Sequence, residues 1–294
     1  MSGRIRILIA FILNLFFSIF EIIGGIVTGS VSILSDAIHD VGDAASIGIS
    51  YLMEKISERP ADKTYTYGYR RFSVLGGLIT TIILLVGSVL MILNSINRII
   101  NPIDINYDGM IVLAVIGCII NFIAGKITHH GHSINQKAVS LHMLEDMLGW
   151  IIVLIGAIIM KFTNWYLIDP ILSIVMSIFI GYHAIKTLIQ ITNVFLIKTP
   201  TNINIDIVKA SLILLPGISD VHHIHVWTID GETVLASMHI VVNEYNSGLK
   251  NIIKQTLQKR GIDHVTIEFE TINEKCKERD CVIKHVDCHC GNHH

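Results

Sequence analysis

Ser35-Asp36-Ala37-Ile38-His39-Asp40-Val41-Gly42-Asp43 and Leu141-His142-Met143-Leu144-Glu145-Asp146 carry one spacing, His-x-x-x-Asp, inside two separate apolar segments. Four residues make just over one helical turn, so in each segment the imidazole and the carboxylate point the same way. An ionisable side chain at bilayer depth costs roughly 2.5–3.5 kcal/mol on insertion scales, so four of them imply a use. Brought together, two neutral imidazoles and two carboxylates offer four nitrogen and oxygen ligands and two negative charges. That set encloses and neutralises a divalent ion such as Zn2+. His39, Asp43, His142 and Asp146 are therefore the first candidate metal ligands. The structural alternative is that each His is hydrogen-bonded by an Asp as a polar contact between helices.

The surrounding composition supports membrane depth. Of 294 residues 51% are apolar and 16% charged, and the mean hydropathy of +0.59 is too high for a soluble domain of this length. Six apolar stretches approach the roughly 20 residues needed to cross the hydrocarbon core: 5–27, 31–53, 73–93, 110–127, 138–160 and 167–191. The first is long for a signal-peptide core and no Ala-x-Ala site follows it, so it reads as a retained span. Lys55, Arg59, Lys63, Arg70 and Arg71 fill the link between the second and third spans, and Lys126 and Lys137 flank that between the fourth and fifth. The opposite links are nearly bare of basic residues, which predicts both termini in the cytoplasm. A net charge of −2 without a basic run gives no sign of nucleic acid as a partner.

From Lys198 the periodicity changes. A helix over 205–215, strands over 218–229 and 234–242, a helix over 246–260 and a strand over 264–271 are predicted. Asp230-Gly231-Glu232 joins the first two strands as a hairpin. The expected architecture is an all-α six-helix transmembrane domain over 1–197, a small α+β ferredoxin-like cytoplasmic C-terminal domain over 198–275, and a Cys/His-rich tail over 276–294. In the last strand His264, Thr266, Glu268 and Glu270 alternate with Val265, Ile267 and Phe269, so the polar set shares one face. With His239 from the preceding strand and Cys276 and Cys281, thiols in a reducing compartment, it suits a zinc ion. His223 is the member of His222, His223 and His225 added to that set, since alternate pleat directions keep the three from pointing one way. A polar dimer surface is the structural alternative. Cys288, His289, Cys290, His293 and His294 read as a flexible collector of soft metals or as an inert tail.

Other polar residues sit close to the proposed ion path. Asp36 and Asp40 share the acidic face of the second span with His39 and Asp43, either at the mouth of the site or hydrogen-bonded to other helices. Asn14 and Glu21, seven apart, share a face of the first span and pack polar against polar. His129, His130 and His132 precede the fifth span as a weak metal collector or a solvated loop. The link carrying Asp62 has no His to hold a further ion.

Several stretches resemble the signatures of the cation diffusion facilitator family. They are Asn14-Leu15-Phe16-Phe17-Ser18-Ile19-Phe20-Glu21, Gly29-Ser30-Val31-Ser32-Ile33-Leu34-Ser35-Asp36-Ala37-Ile38-His39, Tyr67-Gly68-Tyr69-Arg70-Arg71 and Val221-His222-His223-Ile224-His225-Val226-Trp227. The resemblance runs in order over nearly the whole chain. It implies a homodimer with six spans and a cytoplasmic domain that exchanges metal for protons, with His39, Asp43, His142 and Asp146 as the transport site. It further implies zinc as cargo, since both leading positions are His, whereas Asp there admits other divalent ions. The Irving–Williams order leaves Co2+ as a competitor, and Cd2+ is a further candidate. An intramembrane zinc-dependent hydrolase and a membrane metal sensor are the rival readings. No His-Glu-x-x-His is present and four ligands close the shell, so an enzyme is not expected. The partners expected are membrane lipid, a second copy of the chain, divalent metal ions and protons, in a cell membrane.

Overall fold

A computed structural model describes residues 3–28, 31–101, 107–129, 133–163, 167–245 and 247–274. Six long helices come first: α1 (Gly3–Thr28), α2 (Val31–Ser57), α3 (Arg71–Ile100), α4 (Tyr107–His129), α5 (Ile134–Thr163) and α6 (Ile168–Phe195). They are followed by α7 (Ile205–Ile213), β1 (Ile218–Thr228), β2 (Val234–Val242), α8 (Ser247–Lys259) and β3 (His264–Thr271). The chain divides into two compact units near Leu196.

In the helical unit, the segments Arg4–Gly24, Arg71–Ile100, Ile111–His129, Ile134–Thr163 and Ser173–Phe195 are long and apolar enough to cross a membrane. α2 is as long as its neighbours, but Asp36, Asp40, Asp43 and Glu54 interrupt its apolar sequence. α1 packs along α2 and α4, α4 along α5, and α3 along α6; contacts of α3 with α2 and α5 join the two groups. Seams between the helices are lined by small and polar residues, among them Ser46, Ser50, Thr80, Thr81 and Ser88, as expected where close backbone approach replaces a hydrophobic driving force. Gly76 shows the need for small residues directly, since a Cβ there would lie 2.9 Å from both Asn135 Oδ1 and Met53 Cβ. Large apolar side chains such as Phe16, Ile23, Val86 and Leu90 point outward.

α5 starts at Ile134, four residues before the predicted span, because Ser133 and Gln136 supply its cap: the Gln136 N–H donates to Ser133 Oγ at 3.1 Å. The Gln136 side chain turns instead to Glu54, whose carboxylate accepts hydrogen bonds from Ser73, Ser133, Asn135 and Gln136 at 2.7–3.1 Å. In the link before α3, Asp62 caps its own turn. Its carboxylate accepts the Thr64 and Tyr65 N–H groups and the Tyr69 hydroxyl, and those bonds, the Tyr65 N–H foremost, hold it below the usual carboxylate range.

The second unit is a three-stranded sheet ordered β1-β2-β3, antiparallel between β1 and β2 and parallel between β2 and β3. Asn204 opens α7, its Oδ1 accepting the N–H groups of Asp206 and Ile207. The helix ends at Ile213, before Pro216 and Gly217, and Gly217 takes the left-handed φ of 89°. Val221, Val226, Ala236, Met238, Ile240 and Val242 from the sheet meet Val208 and Leu212 of α7 and Ile253 and Leu257 of α8 in one core. Val265, Ile267 and Phe269 pack against this core, which leaves the other face of the sheet polar.

Candidate metal centre

Asp43 on α2 and His142 and Asp146 on α5 converge so that one ligand atom from each lies within 4.8 Å of the others. His142 Nε2 stands 3.8 Å from Asp43 Oδ1 and 3.9 Å from Asp146 Oδ2. These separations are too long for hydrogen bonds. Two ligands about 2.0–2.1 Å from a tetrahedral zinc ion are themselves about 3.3 Å apart, so His142 stands within roughly half an ångström of ligating distance from each carboxylate. The His142 ring is 2% exposed and neither nitrogen has a hydrogen-bond partner among the described residues. Such a group is costly in a buried site unless something else occupies its lone pair.

Asn14 on α1 holds the far side, its Nδ2 donating to Asp146 Oδ2 at 3.3 Å. Glu21, further along α1, is buried as the shared face requires. Glu145 Oε2 lies 3.9 Å from His142 Nδ1. Asp40 is half-buried on α2. His39 and Asp36 belong to the same helix, but their side chains lie outside the described part, as do residues His130 and His132. His129 ends α4 and is exposed.

On the polar face of the sheet, His222, His239 and Glu270 form a second cluster of the same kind. His222 pairs with His239 across β1 and β2, and His239 with Glu268 across β2 and β3. His239 Nδ1 meets Glu270 Oε1 at 2.6 Å, and His222 Nε2 lies 3.3 Å from Glu270 Oε2. The sequence reading places His223 in this set, but β1 is irregular between His222 and His225, and His223 takes φ 52° there. One residue inserted into the ladder lets Val221, Ile224 and Val226 all face the core and brings His222 to the cluster. The His223 ring stacks on His239, centroids 4.6 Å apart at 8°, with His225 edge-on at 4.8 Å. Burial, followed by the neighbouring His223 and His239, lowers the His225 pKa. His264 is exposed and paired with Leu235, apart from the cluster. Cys276 and Cys281 lie outside the described residues.

Two features escape sequence reasoning. The Asn14 contact with Asp146 is hinted at only by the polar face shared with Glu21. Glu54 gives no signal beyond an acidic residue at the end of an apolar stretch.

Residues 7–195 match the model of the cation efflux transmembrane domain, and residues 200–272 that of the cation efflux protein cytoplasmic domain. Among curated relatives, the zinc transporter ZitB of Escherichia coli strain K12 is 31% identical, over 98% of this chain and 94% of its own length. The cadmium, cobalt and zinc/H(+)-K(+) antiporter of Bacillus velezensis is 32% identical over 92% and 89%. The metal cation efflux system protein CzcD of Cupriavidus metallidurans is 31% identical over 90% and 85%.

Proposed function

Because the chain belongs to the cation efflux family, whose members are metal transporters and not enzymes, we propose that it exports Zn2+ from the cytoplasm in exchange for protons. It is a multi-pass membrane protein, and metal efflux is its function. In this reading α1 to α6 are six membrane spans with both termini cytoplasmic, in a cell membrane. The domains divide at 1–197, 198–275 and 276–294, the middle one ferredoxin-like, and two copies assemble as a homodimer. Cd2+ and Co2+ are further cargoes, a view supported by the similarity to the cadmium, cobalt and zinc antiporter of Bacillus velezensis.

The observation that carries the proposal is His142, an imidazole buried between two carboxylates at 3.8 and 3.9 Å and without a hydrogen bond among the described residues. Asp43, His142 and Asp146, completed by His39 one turn from Asp43, hold the ion; Asn14 fixes the orientation of the Asp146 carboxylate. Zinc requires the imidazoles neutral and the carboxylates ionised, so binding the ion releases protons and protonation releases the ion. A site of fixed charge that alternates between these two loads exchanges one for the other as the helices rock. A second Zn2+, held by His222, His239 and Glu270, with His223 and the tail thiols Cys276 and Cys281 as further candidate donors, stabilises or regulates the cytoplasmic domain. Asp36, Asp40, His129, His130 and His132 serve the cytoplasmic approach to the path. Neither zinc-dependent hydrolysis nor sensing alone is favoured.

The test is zinc flux in proteoliposomes under an imposed pH gradient, wild type against Asp43→Ala. Flux should fall by at least about tenfold, the scale on which even indirect supporters of a metal matter. If Asp43→Ala carried zinc at the full rate, the transport site would lie elsewhere.

A further inference from the structure

One turn beyond the metal centre the seam between α1 and α5 changes from polar to aromatic. Phe17 follows Asn14 by three residues and Trp150 follows Asp146 by four. Both therefore lie over the Asn14 and Asp146 faces, about 5.4 Å nearer the C-terminal ends of their helices. There the two rings meet edge to face, centroids 5.3 Å apart at 89°. Phe17 is 1% exposed. The indole lies against Gly117 of α4, where a Cβ would come within 2.6–2.8 Å of ring atoms Cδ2, Cε2 and Cγ. Only a residue without a side chain leaves room for the ring, so the ring has a seat formed by backbone rather than by movable atoms.

We infer that Phe17 and Trp150, seated on Gly117, are the gate that closes the ion path on the C-terminal side of α1 and α5; this rests on Asp43, His142 and Asp146 being the transport site. A partly hydrated cation does not cross an edge-to-face ring pair in contact, and an apolar layer of this kind also breaks a water file along which protons would leak. The rings are contributed by α1 and α5, and α5 also carries His142 and Asp146. Separation of these helices therefore opens the gate and breaks the Asn14 bond that orients Asp146, which ties ion release to the conformational change. On the opposite side of the site α2 continues from Asp43 through the buried Ser46, Ser50 and Glu54, beside an aliphatic cluster of Ile7, Ile47, Val139 and Met143.

The experiment uses the full-length protein in vesicles holding a pH-sensitive dye, without metal. Wild type should hold an imposed pH gradient, and Phe17→Ala with Trp150→Ala should dissipate it several-fold faster. Trp150→Phe, which keeps an aromatic ring, should be as tight as wild type. Asp43→Ala in the same vesicles separates the two readings: it should lose zinc flux and keep the gradient. Tight vesicles with wild-type coupled flux in the double variant overturn the gate and leave the transport site standing, whereas undiminished zinc flux in Asp43→Ala overturns the site. If the double variant does not assemble, acrylamide quenching of Trp150 in a Trp165→Phe, Trp227→Phe protein decides. Quenching should differ between zinc and chelator, and equal quenching in both overturns the gate.

Discussion

Position 142 holds an imidazole that is buried and, among the described residues, without a hydrogen bond, while the carboxylates of Asp43 and Asp146 stay at 3.8 and 3.9 Å. A structural His–Asp pair would have closed to about 2.8 Å, because a desolvated polar group gains most from a direct bond. These distances support the proposed metal reading over the structural one that the spacing of residues also allowed. Replacing the ring shortens the arm, widens the site and adds a negative charge. His142→Asp should therefore keep zinc transport and admit cadmium, as competition between Cd2+ and Zn2+ in vesicle flux would measure; an unchanged preference counts against this ligand. The meeting of His142 with Asp146 on one face of α5 was legible because helical geometry alone fixes which side chains share a face. In β1 the same logic fails. Simple alternation puts His223 and His225 on one face and His222 on the other, and the irregularity at His223 undoes it for a reason that lies in the core beneath.

Helices and strands were legible where periodicity is long. β2 and β3 fall on the predicted residues, and each long helix contains most of its predicted span. Ends were less so, because local hydrogen bonds set them: the Ser133 cap for α5, Pro216 and Gly217 after α7. Glu54 is the element-scale finding that no period reveals. Its carboxylate collects Ser73 from α3 and Ser133, Asn135 and Gln136 from the start of α5, while Asn135 also bonds Ser50. Four neutral donors thus converge on one buried acceptor. Removing the acceptor leaves them unsatisfied at about 1–3 kcal/mol each before relaxation. With most of that relieved as the donors turn to other acceptors, Glu54→Ala should still cost about 1–3 kcal/mol, seen as a lowered melting temperature in detergent, with Glu54→Gln milder. A melting curve unchanged in Glu54→Ala would show that α2, α3 and α5 hold together without it.

For the whole molecule, the proposed ions stabilise the folded state by mass action. Zinc at 100 times its dissociation constant contributes about 2.7 kcal/mol per site. Melting of the detergent-solubilised protein should rise with added Zn2+ and fall with chelator, and His239→Ala should remove part of that rise. An identical rise in wild type and variant would exclude a cytoplasmic ion at His239. The sequence by itself determined the membrane class, the succession of helices and strands, and which His and Asp share a helix face, since each follows from composition and from periods of 3.6 or 2 along one chain. Only the tertiary structure decided which of these side chains meet, that Asn14 donates to Asp146, that His222 stands beside Glu270 while His223 stacks on His239, and that Phe17 and Trp150 meet ring to ring. These depend on which faces pack against one another, and packing between helices far apart in sequence is set by shape, down to a single missing Cβ at Gly117.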